Sequence, residues 1–250
     1  MYKGLTISVV IPCFNEEEGI AHVLQNLPEY IDEAIVVDNN STDGTAEVAQ
    51  SLGARVIHES RKGYGSAYQA GLPAATGDII ATVDGDGTYP ADAIAPLIDE
   101  LLAGGLDFIS ASRFPLQDPN AMRRRNQLGN MVLTWTARIL FWRWIADSQS
   151  GMWVFRRSCL RWVCPRETGM AFSEEIKLEA IRAPQVRFGE RPVAYYERIG
   201  ETKLFTWQDG FENLAYLFTY RLTRARRPAM ATNDTAANAP ARTDTASGSD

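Results

Sequence analysis

Two aspartates one residue apart, Asp84 and Asp86, close an apolar run in the stretch IIATVDGDGTYP at residues 79–90. A short apolar run ended by turn residues predicts a buried strand over 79–83. Alternation in extended chain puts residues i and i+2 on one side, so both carboxylates can face one point. Gly85 and Gly87 let the backbone bend and leave room for a ligand. Two hard oxygen donors at one edge suit Mg²⁺ or Mn²⁺ that also holds a substrate phosphate. The same four residues alone fit equally well a turn whose acids are merely solvated.

The elements that must position these acids are legible on both sides. Residues 6–11 (TISVVI) and 34–37 read as buried parallel strands, with Pro12 stopping the first because it cannot donate to a ladder. Asn15 is expected to cap a helix whose first turn carries Glu16, Glu17 and Glu18, running through Leu27. A helix over 45–52, a strand over 55–57, a loop at 62–65 and a helix over 66–75 lead to the strand before Asp84. A helix over 91–102 and a strand over 108–111 follow it. This βαβαβ rhythm predicts an open, largely parallel sheet covered by helices, with ligands beyond the carboxyl ends of the strands. Three strand ends carry polar clusters, Asn15/Glu16, Asp38/Asn39 and Asp84/Asp86, and should meet at one cleft.

Composition narrows the class. The chain has 250 residues, 45% of them hydrophobic, enough for one large α/β domain or two small ones. A net charge of −6 argues against nucleic acid as a partner. Cys13, Cys159 and Cys164 are odd in number and lack metal spacing, so they read as buried or half-buried thiols in a reducing compartment. The N-terminus lacks a signal-like apolar core, and no run of uncharged apolar residues is long enough to cross a membrane.

Residues 113–166 depart from this acidic background. They hold ten arginines, no lysine and two acids, Asp118 and Asp147. Leu128, Met131, Val132, Trp135, Ile139 and Trp142 repeat there at helical spacing. That stripe fits either a core-facing helix or one lying at a membrane interface, where Trp and Arg favour the headgroup layer. Residues 152–155 and 192–195 read as strands, with a helix from 172 to 181 that Ser173 could cap. An amphipathic helix over 207–222 precedes arginines that suit a helix C-terminus or anionic lipid, and residues 228–250 read as a disordered tail.

The ordered motifs VVIPCFNEEEGI, VVDNNSTDGT, KGYGSAYQAG, VDGDGTYP, SASRF, DSQSGMWVFRR and RIGETKL, spread over 5–222, together resemble family 2 glycosyltransferases of the GT-A fold. Within that family the chain is similar to the dolichyl- and polyprenyl-phosphate mannosyl- and glucosyltransferases. The resemblance implies a Rossmann-like, mostly parallel α/β sheet flanked by helices, with a C-terminal amphipathic helix. It implies one domain over 1–227, with a nucleotide and metal half at 1–112 and an acceptor half at 113–227. The activity implied is inverting transfer of a hexose from UDP-glucose or GDP-mannose to polyprenyl phosphate. The enzyme would sit peripherally on the cytoplasmic face of a membrane, with or without a membrane-spanning partner subunit.

By motif position the resemblance assigns the nucleotide to Pro12, Phe14, Glu16, Asp38 and Lys62, and Mg²⁺ or Mn²⁺ to Asp84 and Asp86. It assigns the diphosphate or acceptor phosphate to Arg113, Arg123, Arg124, Arg125, Arg198 and Lys203. Asn39 stands where relatives often have a second aspartate, which leaves the base open. Thr88 stands where many have a third metal ligand, and would act through water. A phosphate acceptor is already ionised and needs no strong base, whereas a sugar hydroxyl would make Glu174 or Glu175 the base; both also fit an acidic first helical turn. Asp84-Gly-Asp86-Gly-Thr88 also fits the DxDxT signature of haloacid-dehalogenase-like phosphatases. That motif normally lies on a first strand, and no GD-x-x-x-D cluster follows here. A non-catalytic nucleotide-sugar-binding subunit is the other alternative, and an intact aspartate pair argues against it.

Overall fold

The computed structural model describes residues 1–200 and 206–224. Lys203 and the tail at 228–250 lie outside the described residues. Seven strands form one sheet: β1 (Ile7–Cys13), β2 (Glu33–Asp38), β3 (Arg55–His58), β4 (Ile79–Thr82), β5 (Phe108–Ser112), β6 (Trp153–Arg156) and β7 (Phe188–Pro192). Their spatial order is β3-β2-β1-β4-β6-β5-β7. All neighbours are parallel except β6, which runs antiparallel between β4 and β5. Because β6 comes from the C-terminal half, the two halves of the chain share one sheet.

The central strands β1, β4 and β5 are fully buried because both faces of the sheet are covered, while the edge strands β3 and β7 are more polar and partly exposed. Along β1, Ile7, Val9 and Ile11 face one core layer with α1 (Glu17–Gln25), α2 (Thr45–Ser51) and α4 (Ile94–Ala103). Val10 points the other way, into a layer with α3 (Tyr64–Ala74) and α6 (Phe172–Arg182). A third cluster joins α5 (Arg124–Phe141) to α7 (Thr206–Arg224) through Leu133, Ala137, Leu217 and Tyr220.

Several local expectations are corrected. Pro12 lies inside β1 rather than ending it, paired with Val37. The Asn39 N–H donates to the Cys13 carbonyl at 2.8 Å, so Cys13 addresses the β2 side. Alternation turns Pro12 nitrogen to the other side, where β4 has already ended and no acceptor is lost. Asn15 does not cap α1: it adopts φ +54°, and its side-chain oxygen accepts from the Thr42 N–H at 2.7 Å. Ser173 sits within the first turn of α6 and makes no cap hydrogen bond. The last strand is Phe188–Pro192 rather than 192–195, and its mixed sequence FGERP hid it. Cys13 and Cys159 are buried, but Cys164 is exposed.

Candidate functional site

β4 delivers Asp84 and Asp86 into a turn in which Gly87 takes φ +75°. The two acids are held differently. The Tyr64 hydroxyl, from the first turn of α3, donates to Asp84 Oδ1 at 3.0 Å. Burial, reinforced by the negative charge of Asp86, pushes the Asp84 carboxyl up to about 7. Asp86 Oδ1 accepts from the Thr88 N–H at 3.1 Å and the Thr88 hydroxyl at 2.7 Å. Thr88 is buried and turned toward Asp86, so it orients the carboxylate instead of standing as a third ligand. Asp86 Oδ2 accepts from Arg198 Nη1 at 2.9 Å, and Arg198 Nη2 pairs with Glu16.

The segment carrying Arg198 runs along the aspartate turn. The Tyr196 N–H donates to the Thr88 carbonyl at 3.0 Å, and the Ile199 N–H to the Asp86 carbonyl at 2.9 Å. Arg198 Nε is buried without a partner, and its two other nitrogens bind carboxylates that follow β1 and β4, far before it in the chain. Residues of types expected to hold a diphosphate and a divalent ion therefore converge at the carboxyl ends of β1 and β4. No group of three or more His, Cys, Asp or Glu side chains is placed to hold a metal among the described residues. A donor set of two carboxylates fits Mg²⁺ or Mn²⁺ that takes its other ligands from phosphate oxygens and water.

On the β2 side, Asp38 ends its strand with Oδ1 accepting from the Ser41 N–H at 3.1 Å and Oδ2 3.1 Å from His58 Nδ1. A cavity of about 350 Å³ opens there, lined by Asp38, Asn40, Ser41, His58 and neighbouring residues. Phe14 is partly exposed, and Lys62 Nζ lies 5.6 Å from its ring centroid. Asn39 is fully engaged: its amide nitrogen donates to the carbonyls of Glu59 and Arg61, and its oxygen accepts from the Gly63 N–H. It braces the loop that leads into α3.

The arginine-rich section divides into two kinds. Arg113, directly after β5, is buried, and its guanidinium donates to both oxygens of Asp147 at 2.7 and 2.8 Å. Burial opposes the charge on Asp147, yet Arg113 holds its carboxyl well below the usual carboxylate range. Arg113 thus spends its fork on a structural pair beside the cleft. Arg123, Arg124 and Arg125 are exposed at the start of α5.

Glu174 and Glu175 are both buried. Glu175 Oε2 accepts from the N–H groups of Arg166 and Glu167, at 2.7 and 2.6 Å, and so anchors that loop. Glu174 Oε1 accepts from Gln149 Nε2, its Oε2 has no partner, and burial pushes its carboxyl well up. The sequence reading passed over four residues that shape the site. Tyr64 holds Asp84, Asp147 holds Arg113, and Lys177 Nζ donates to the carbonyls of Asp147 and Ser148 at 2.9 and 2.7 Å. Gln149 links Glu174 to Asn213 of α7, whose Nδ2 donates to Gln149 Oε1 at 2.9 Å. The one available signal was Asp147, one of two acids among ten arginines.

Residues 8–162 match the model of glycosyl transferase family 2. The chain belongs to this family. It is 33% identical over 207 residues to a dolichyl-phosphate hexose transferase of Haloferax volcanii, covering 82% of this chain and 89% of that one. It is also 33% identical to the low-salt glycan biosynthesis hexosyltransferase Agl6 of the same organism, over 85% of this chain and 53% of that one. The chain therefore spans about half the length of that relative. Among solved structures, glucosyl-3-phosphoglycerate synthase from Mycobacterium tuberculosis, in complex with Mn²⁺, UDP-glucose and phosphoglyceric acid, superposes with a TM-score of 0.67. At 23% identity over 87% of this chain and 80% of that one, it establishes the GT-A fold. This member of family 2 is a glycosyltransferase.

Proposed function

We propose that the chain transfers a hexose, with inversion, from a nucleoside diphosphate sugar to polyprenyl phosphate at a membrane surface. The observation that carries this reading is the state of the two acids of α6. Glu175 Oε2 is taken up by backbone N–H groups, and Glu174 is only 1% exposed, with Oε1 accepting from Gln149, so neither is presented to an acceptor hydroxyl in the cleft. A phosphate acceptor brings its own ionised oxygen and needs no such base. The 33% identity to a dolichyl-phosphate hexose transferase supports the same acceptor class.

In this reading Asp38, Pro12, Phe14, Glu16 and Lys62 bind the nucleoside side of the donor, and Asp84 and Asp86 hold the divalent ion. Mg²⁺ or Mn²⁺, when bound, neutralises charge on the departing nucleoside diphosphate. Arg198 and Lys203 close over the diphosphate. Arg123, Arg124 and Arg125 draw the acceptor phosphate, since arginine forks match phosphate oxygens. Arg113 fixes the floor of the cleft through Asp147. The acceptor oxygen attacks the anomeric carbon from the face opposite the leaving group. As the new C–O bond forms, the bond to the diphosphate breaks and its electron pair leaves on the β-phosphate oxygen.

The test supplies radiolabelled UDP-glucose or GDP-mannose with polyprenyl phosphate and separates lipid-extractable from water-soluble product. Label in an acid-labile lipid is expected, and folded Asp84→Ala and Asp86→Ala variants should each abolish it. Label only in a soluble saccharide rejects the phosphate acceptor and returns Glu174 to the role of base. Undiminished transfer in chelator rejects the metal assignment.

A further inference from the structure

Between α5 and β6, residues Ala146, Asp147 and Ser148 belong to no helix or strand, so side chains of other elements must satisfy their backbone. Glu190 of β7 accepts from the N–H groups of Ala146 and Asp147, at 2.6 and 3.4 Å. The Thr134 hydroxyl of α5 accepts from the Ser148 N–H at 3.1 Å. Lys177 of α6 donates to the carbonyls of Asp147 and Ser148, at 2.9 and 2.7 Å. The N–H groups of this segment thus meet an acid and a hydroxyl, and its carbonyls meet an ammonium.

Stability alone does not call for a lysine there. Lys177 is 1% exposed, on a helix that also buries Phe172, Ile176 and Leu178. A buried ammonium forfeits its hydration, whereas a methionine of similar volume would pack without that cost. What the ammonium supplies is direction, because its donors draw two successive carbonyls toward one point.

Both ends of the held segment reach the site. At its start, the Asp147 carboxylate accepts from the Nε, Nη2 and main-chain N–H of Arg113. The guanidinium carbon of Arg113 lies 5.4 Å from the Tyr195 ring centroid, and its charge acts on the Asp84 carboxyl. Just beyond its end, the Gly151 N–H donates to the Tyr89 hydroxyl at 2.9 Å, and the Gly151 carbonyl accepts from the Thr82 hydroxyl at 2.9 Å. Gly151 lies so close to Tyr64 and Asp84 that a Cβ there would meet both. A shift of residues 147 and 148 would therefore move Arg113 relative to Asp84.

We propose that Lys177 is a positioning residue for glycosyl transfer, fixing the peptides at 147 and 148 so that Arg113 keeps its place beside Asp84. This role rests on the reading of Arg113 and Asp84 as site residues, and not on which acceptor is used.

The experiment compares wild type with Lys177→Met, Arg113→Lys and the double variant. Turnover is measured on whichever acceptor the wild type glycosylates, and calorimetry with UDP or GDP and Mn²⁺ counts the competent sites. In parallel, heteronuclear NMR follows the guanidinium Nε–H signal of Arg113, assigned by its loss in Arg113→Lys. Lys177→Met is expected to bind nucleotide at wild-type stoichiometry and to shift or lose the Arg113 signal. Its kcat should fall about a hundredfold, the range for misplacing a group by roughly 1 Å, with KM for the donor little changed. The double variant should be slower than Arg113→Lys by no more than about threefold, since both substitutions act on one group.

A folded Lys177→Met with wild-type kcat overturns this role. So does a loss of turnover matched by an equal loss of competent sites, which marks a merely structural residue. Additive losses with an unmoved Arg113 signal overturn it as well. If Lys177→Met does not fold, Glu190→Ala carries the same measurements, because it releases the N–H groups of the same segment. Transfer to a soluble saccharide alone would reject the phosphate acceptor and leave every one of these readouts in force.

Discussion

Arg198 pairs with Glu16 and Asp86, residues 182 and 112 positions away in the chain. Such a guanidinium serves two demands at once. It keeps buried acids neutralised when no ligand is bound, and it presents a fork to an incoming diphosphate. Its removal leaves those carboxylates facing each other without compensation. Arg198→Ala should therefore lower turnover by about a hundredfold or more, the range for losing one aimed donor at a developing charge, as read from steady-state kinetics. Lys177 allows a separate test by titration. Burial lowers it from 10.5 to about 8, against the pull of Asp147. The folded chain thus releases this proton before the unfolded chain does. The penalty is complete below about pH 8 and fades as pH rises toward 10.5, by on the order of 3 kcal/mol. In urea denaturation, the wild type should gain stability relative to Lys177→Met across that window.

At the scale of elements, helix-to-sheet distances decide how the site is held. α3 carries Tyr64 to Asp84 because it packs close to β1 and β2. A Cβ on Gly71 would lie 2.6 Å from methyl groups of Val10 and Val37. Gly71→Ala should therefore push α3 off the sheet and destabilise the protein by about 1–3 kcal/mol in thermal or denaturant unfolding, with reduced activity through Tyr64. The antiparallel strand β6 has a similar positioning role. It follows the loop at 147–151, and Gly151 sits where a Cβ would come within 2.3 Å of the Tyr64 hydroxyl and 3.1 Å of both Asp84 oxygens. The short side of that loop makes room for the acid pair. Its far side is tied through Gln149 to Asn213 of α7, so α7 and the aspartate turn both pack against this one loop.

For the whole molecule, the sheet order places the cleft at the carboxyl ends of β1, β2 and β4, with α5 and α7 beside it. Binding of donor and metal to such a cleft stabilises only the folded state. A nucleoside diphosphate sugar with Mn²⁺ at about a hundred times its Kd should raise stability by about 2.7 kcal/mol and lift Tm, and chelator should return the melting curve to that of the free protein. A double substitution of Asp84 and Asp86 should remove the shift due to Mn²⁺ while leaving a folded protein.

The sequence by itself determined much of this. The apolar strands, their alternation with helices and the motif DGDG were enough to predict a mostly parallel sheet and an acid pair at one strand end, because burial and turn chemistry are local signals. Asp38 and Glu16 were likewise legible as strand-end residues. The partners were not. Whether Arg113 is free or bound to Asp147, whether Glu175 is a base or a loop anchor, and whether Asn39 reads a ligand or braces a loop depend on contacts across tens of residues. The same holds for α5: its stripe was visible as a period, but a period does not say which face is inside. Only the tertiary structure showed Asn130 and Thr134 turned inward and the tryptophans outward. The physical reason is that side-chain charge, hydrogen bonding and exposure belong to pairs of residues brought together by the fold, not to positions along the chain. The aspartates were therefore found from sequence, and what surrounds them was not.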